Sequence, residues 1–196
     1  MLLAIDSSIG TAVAVVGEQG NCLSQATVED RRSHAEAIGP LIARALADAS
    51  ATPSDVSAVV MGVGPGPFTG LRVGMAAAQA FALGRGIPLW PVLSHDAAAW
   101  ELTGPTRVVT DARRGEVAVT SYAPRLEGTF GQRLEETVLI RREIFDSTPH
   151  DGSVLFLDAI NPCLLARAAL WYRHHQIDLL PAQAVYLRAP DVTMPQ

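Results

Sequence analysis

The sequence predicts an α/β protein of two lobes, each built around a mixed sheet with flanking helices. The first half orders three strands, then helix, strand, helix, strand, which suits a mixed sheet of the ribonuclease H type. An Asp four residues ahead of a Gly, followed by an apolar strand, opens both halves. Asp6 and Gly10 in AIDSSIGTAVAVV match Asp111 and Gly115 in VTDARRGEVAVTS, 105 residues later. Asp and Gly are common between any two strands, but the place of the pattern at the head of each half favours duplication over coincidence. A length of 196 residues with 48% hydrophobic content supports a core in each lobe. The division expected is 1–104 and a leaner 105–196, whose last segment can pack back on the first lobe.

LLAIDSS, TAVAVVG and CLSQATVE read as three strands of an antiparallel meander. In SHAEAIGPLIARALADAS, Ser33 and Glu36 make a capping box, and Ile38, Leu41, Ile42, Ala45 and Leu46 recur at helical spacing. Pro40 lies inside that pattern and removes a backbone donor, so a kink or split is expected near the end of the second turn. SAVVMG is a continuous apolar run, hence a buried strand, followed by the loop GVGPGPFTG and a small-residue helix from about Thr69 to Leu83. PLWPVLS gives another strand and HDAAAWEL a short helix. The second lobe is expected to hold the DARRGEV hairpin, a strand near 133–140 and a short helix near 141–146. The buried strand VLFLDA and a helix from about Pro162 to His175 complete it.

Composition narrows the function. The formal net charge is −5 with only 15 Lys and Arg, which leaves no strong cationic surface to neutralise a long run of phosphates. If RNA is involved, a partner grips it. Cys22 and Cys163 stand far apart with no CxxC spacing, and MLLAIDSS lacks a basic n-region and a cleavage site, so the expected compartment is the cytoplasm. The longest apolar stretch, around Met75 to Leu83, is too short to span a bilayer.

The glycine loop admits two readings. Gly64, Gly66 and Gly70 leave backbone N–H groups unshielded and Thr69 stands at the head of the following helix, so the loop can hold an anion. It lacks the Lys and Ser or Thr of a Walker A loop and does not match the dinucleotide fingerprint. A tight turn needing positive φ and close packing accounts for the same letters. Asp6, with Ser7, Ser8, Gly10 and Thr11, suits a magnesium and phosphate site, with Asp111 as an equivalent carboxylate from the other lobe. For Asp111, flanked by Arg113 and Arg114, a turn residue satisfying its own backbone is the favoured reading.

His34, His95, His150, His174 and His175 are the only imidazoles, and His95 is followed by Ala99, so no HxxxH exists. Ser94-His95-Asp96 is no catalytic triad, because adjacent residues do not converge in space. MAAAQAFALG is apolar on nearly every side, more than one sheet face requires. The helices from Ser33 and from Thr69 together offer an apolar surface suited to a partner.

AIDSS, SHAEAIGPLI, GVGPGPFTGLRVGMAAAQAFALG, DARRGEV and a terminal AVYLR, in that order across nearly the whole chain, resemble the TsaB (YeaZ) family. The resemblance implies a two-lobed actin-like or Hsp70-like ATPase fold with a small second lobe. It also implies a non-catalytic scaffold subunit that dimerises with the catalytic subunit TsaD and works with the ATPase TsaE. That assembly transfers threonylcarbamoyl to N6 of the adenosine at position 37 in tRNAs reading A-starting codons. The catalytic relative holds its metal with HxxxH, so no catalytic or metal-binding residue is expected here, and ATP and metal belong to partner subunits. Asp6, Gly64, Gly66, Thr69 and Gly70 then form a vestigial phosphate site, its loop retained because it sets the angle of the next helix. Pairing in the family, as homodimers or with TsaD, runs through the first two helices. Carried over, the interface comprises Ile38, Leu41, Ile42, Ala45, Met75, Ala78 and Phe81. At 196 residues the chain is short for the family. The alternatives are an active phosphotransferase using Asp6 and Asp111 and, more weakly, a metallopeptidase.

Overall fold

A computed structural model of the chain describes residues 1–30, 33–125 and 130–187. The first sheet comprises β1 (Leu2–Asp6), β2 (Thr11–Val16), β3 (Cys22–Val28), β4 (Ala58–Gly62) and β5 (Leu89–Val92), in the order β3-β2-β1-β4-β5. The second comprises β6 (Thr106–Arg113), β7 (Glu116–Tyr122), β8 (Val138–Arg141) and β9 (Ser153–Phe156), in the order β8-β7-β6-β9. In both, a hairpin pairs antiparallel, β1 with β2 and β6 with β7, and the first strand takes a later strand in parallel, β4 or β9. The duplicated hairpin pattern therefore extends to the topology of four strands in each sheet.

Period-two alternation divides the first core. Leu3, Ile5, Val13, Val15, Val59 and Met61 face α1 (His34–Asp48) and α2 (Phe68–Arg85), whereas Leu2, Ala4, Ala14, Val16, Ala58 and Val60 face the opposite side. That opposite side is covered by α4 (Pro162–His174), which lays Leu165, Ala166, Ala168 and Ala169 on it. Sequence alone assigns this helix to the second lobe. Its alanines let it approach the first sheet closely, and the same cluster takes in Val108 and Tyr122 of the second sheet. The smaller α3 (Arg142–Ser147) covers the far face of the second sheet with Phe145.

Four local expectations change. The α1 helix runs unbroken through Pro40, which is exposed on the solvent side. Ser33 makes no side-chain cap; a reciprocal box forms instead between Thr52 and Asp55, whose carboxyl those hydrogen bonds hold below the usual range. Residues 94–100 form a 3-10 helix, and β8 begins at Val138, with only an isolated bridge from Tyr122 to Arg133 ahead of it. The segment after α4 returns to the first lobe: Val185 N donates to Val63 O at 2.8 Å, and Leu180 and Ala184 pack on the α2 core. Of the terminal AVYLR motif, Arg188 lies outside the described residues.

Candidate functional site

The glycine loop joins β4 to α2 and is keyed from behind by the β1–β2 hairpin tip. A Cβ at Gly62 would collide with the Asp6 carboxylate, and one at Gly74 with Ser7 Oγ. Ser7 Oγ donates to Gly70 O at 2.7 Å and accepts from Gly74 N at 3.0 Å, tying the strand end to the first turns of α2. On the other side Gly64, at φ +95°, exchanges two hydrogen bonds with Ser94: Gly64 N donates to Ser94 Oγ at 3.1 Å and Ser94 N to Gly64 O at 2.8 Å.

Asp6 lies at the centre of this packing. It is 1% exposed, and its Oδ1 accepts from Ser8 N at 2.8 Å and from Ser8 Oγ at 2.6 Å, while Oδ2 accepts from Ser94 Oγ at 2.5 Å. Burial raises its pKa, and the hydroxyl and amide donors oppose that shift. The carboxylate is satisfied from within the chain.

A cleft of about 1010 Å³ opens on the outer side of the loop, walled by Gly66, Thr69 and Gly70, by Asp111 and Arg113 of the β6–β7 tip, and by Tyr186. Of the five residues expected at a phosphate site, the structure brings Gly66, Thr69 and Gly70 to the cleft; Asp6 and Gly64 stand behind it. Asp111 Oδ1 accepts from Arg113 N at 3.2 Å, the local turn contact expected of it. Arg113 and Arg114 hold φ of 63° and 54°, so the second tip is strained where the first is tightly packed. Tyr186 stacks on Phe68 at 4.7 Å and accepts from Arg72 Nε at 2.8 Å, which closes the wall with the chain's own C-terminal segment. His34, also at the cleft, pairs through Nδ1 with Thr11 Oγ1 at 2.7 Å.

Ser94, His95 and Asp96 point three ways rather than converging. Ser94 serves the glycine loop, His95 sits between Thr110 and Thr120 of the second sheet, and Asp96 accepts from Tyr122 at 2.6 Å and Tyr172 at 2.8 Å. Among the described residues, no group of three His, Cys, Asp or Glu is placed to hold a metal, and no helix is long and apolar enough to cross a membrane. The cleft can receive an anion at the head of α2 beside Arg113.

The helix residues expected to meet a partner mostly face inward. Ile38, Leu41, Ala45, Met75 and Ala78 are buried against the first sheet, leaving Ile42 and Phe81 half-buried. The outward face of α2 is Arg72, Ala76, Gln79, Ala80 and Leu83, with Leu83 84% exposed. A helix apolar on nearly every side conceals which stripe meets the sheet, and only the packing of α1 beside it decides. Ser7, expected beside Asp6 at a phosphate site, ties β1 to α2 instead, and the role of Ser94 had no signal in the sequence.

Comparison with known proteins follows the same lines. The model of the TsaD family, tRNA N6-adenosine threonylcarbamoyltransferase, matches residues 22–139. An uncharacterised protein of Mycobacterium tuberculosis is 36% identical over 196 residues, covering 97% of this chain and 92% of its own length. The tRNA threonylcarbamoyladenosine biosynthesis protein TsaB of Escherichia coli is 35% identical over 113 residues, 55% of this chain and 49% of that protein. The solved structure of YeaZ from Pseudomonas aeruginosa superposes with a TM-score of 0.78 at 21% identity, covering 95% of this chain and 99% of the other. The fold of these structures is thus shared.

Proposed function

This chain belongs to the TsaD family and resembles its TsaB (YeaZ) members, and from that premise we propose that it is a non-catalytic scaffold subunit for tRNA threonylcarbamoyladenosine synthesis. Its partner in this reading is a TsaD-type catalytic subunit, joined by a TsaE-type ATPase, and the modified base is the adenosine at position 37 of tRNAs reading A-starting codons. ATP and metal belong to those partners, and tRNA is reached through the complex. Alone, the chain pairs with itself through α1 and α2.

Asp6 carries this reading. In a phosphotransferase the first-strand carboxylate must face the cleft to position magnesium. Here it is 1% exposed and holds three hydrogen bonds from Ser8 and Ser94. The glycine loop supports it as well, because Gly62 and Gly74 are needed for packing against Asp6 and Ser7.

The test is threonylcarbamoyl transfer to tRNA by TsaD-type and TsaE-type partners, with and without this chain. Transfer that depends on the chain, and that Asp6→Asn leaves within about twofold, is expected; Asn keeps the shape and most of the hydrogen bonds. Transfer indifferent to the chain, or magnesium-dependent ATP turnover by the isolated chain that Asp6→Asn abolishes, would replace the scaffold with an enzyme.

A further inference from the structure

The only two cysteines of the chain are 141 residues apart in sequence, yet Cys22 and Cys163 join as a disulfide with Cα atoms 5.5 Å apart. They tie together two elements that no other covalent link connects. Cys22 opens β3, the edge strand of the first sheet, on which α1 lies through Ser24 Oγ and Ala45 O at 2.5 Å. Cys163 is the second residue of α4, the helix whose cluster spans both sheets.

We infer that this bond is an exchangeable redox clasp, opened and closed by a small-molecule thiol and its disulfide. Three features of the site assign its chemistry. The two sulfurs differ in access, since Cys22 is exposed and Cys163 is 6% exposed. They differ as leaving groups, because Cys163 is the second residue of a 13-residue helix, whose positive dipole end stabilises a thiolate. A groove of about 570 Å³, walled by Asn21, Ser24, Gln25, Asn161 and Arg167, leads to the bond and is large enough for a peptide-sized thiol.

The order of attack follows from that asymmetry. A thiolate RS⁻ attacks Cys22 Sγ, and the S–S electron pair leaves on Cys163 Sγ, the sulfur that better carries charge. A second RS⁻ attacks the small-molecule sulfur of the mixed disulfide, which releases Cys22 as thiolate and RSSR. Two RSH thus supply the two electrons that reduce the bond and the two protons that cap the cysteines. Opening frees the β3 edge from α4 while its contacts to α1 persist. In a reducing compartment, disulfides of this kind are the regulatory ones.

The test equilibrates the full chain in buffers of reduced and oxidised glutathione, blocks free thiols with iodoacetamide and weighs the protein. Both cysteines are expected to be labelled at the reducing end and neither at the oxidising end, reversibly and without unfolding. Closing a loop of this length constrains the unfolded chain, so the melting temperature should drop by about 10 °C on reduction, and Cys22→Ser should melt at the reduced value in either buffer. Acid quenching during reduction should trap glutathione on Cys22. Labelling of both cysteines under oxidising buffer, a bond that stays closed in the folded chain at the reducing end, or glutathione trapped on Cys163 would each overturn the clasp as drawn.

Discussion

His95 is wholly enclosed, its Nδ1 2.7 Å from Thr120 Oγ1 and its Nε2 3.0 Å from Thr110 Oγ1. Burial disfavours the imidazolium and pulls the pKa to about 3. The unfolded chain titrates near the ordinary histidine value of about 6.5, so between pH 6.5 and 3 it binds a proton that the folded chain does not. Stability therefore falls as pH drops through that window, by up to about 1.4 kcal/mol per unit. Asp6 and Asp96 act with the opposite sign: burial raises both, so the folded state favours the neutral acid and their contribution is lost as pH rises past the ordinary carboxyl range. Urea unfolding of wild type and His95→Gln from pH 7 to pH 4 separates these effects. The variant, less stable at pH 7, should lose less than the wild type as pH falls; parallel curves would mean that His95 titrates in the folded protein as it does in the unfolded chain. At this scale the sequence was least informative. HDAAAWEL marked a short helix, but which hydroxyls receive His95 and Asp96 depends on β6, β7 and α4 of the other lobe.

Elements were more legible, because periodicity is a local property of the chain. The alternation in TAVAVV, the apolar run AVVMG and the 3.6-residue stripe of α1 each define a strand or helix within a residue or two of its observed bounds. Periodicity does not say what a helix turns its second face towards. For α2 the answer is visible only in three dimensions, where Ala78 is buried and Ala80, two positions on, is exposed. Ala78→Glu would bury an unpaired charge in the first core at a cost of several kcal/mol, so loss of partner binding in that variant would report misfolding. Ala80→Glu places the same charge on the outward face and should shift the melting temperature by less than about 2 °C, as surface substitutions do. If the outward stripe with Leu83 meets a TsaD-type subunit, Ala80→Glu should weaken co-elution at least tenfold while leaving the monomer folded. Undiminished co-elution would place the interface elsewhere.

On the scale of the whole molecule, the 3-10 helix at 94–100 and α4 make one body of the two sheets. Asp96 accepts from Tyr122 on β7 and Tyr172 on α4, and the cluster around it runs from Leu2 and Val60 of the first sheet to Val108 of the second. The repeated Asp–Gly hairpin announces two similar units, but nothing in the letters reveals that α4 crosses between them. That crossing depends on small residues whose value appears only when two surfaces meet. Two lobes sharing one apolar cluster should unfold together. Calorimetry should give a single transition whose van't Hoff and measured enthalpies agree. Tyr122→Phe with Tyr172→Phe leaves the buried Asp96 carboxyl without either phenol, and the stability loss should be about 2–5 kcal/mol from the desolvated acceptor alone. The transition should nevertheless stay single, because those phenols anchor the junction while Leu165, Ala166 and Ala169 of α4 still cover the first sheet. If the double variant resolves into two transitions, the hydrogen bonds rather than the shared apolar cluster couple the lobes, and α4 belongs energetically to the first sheet alone.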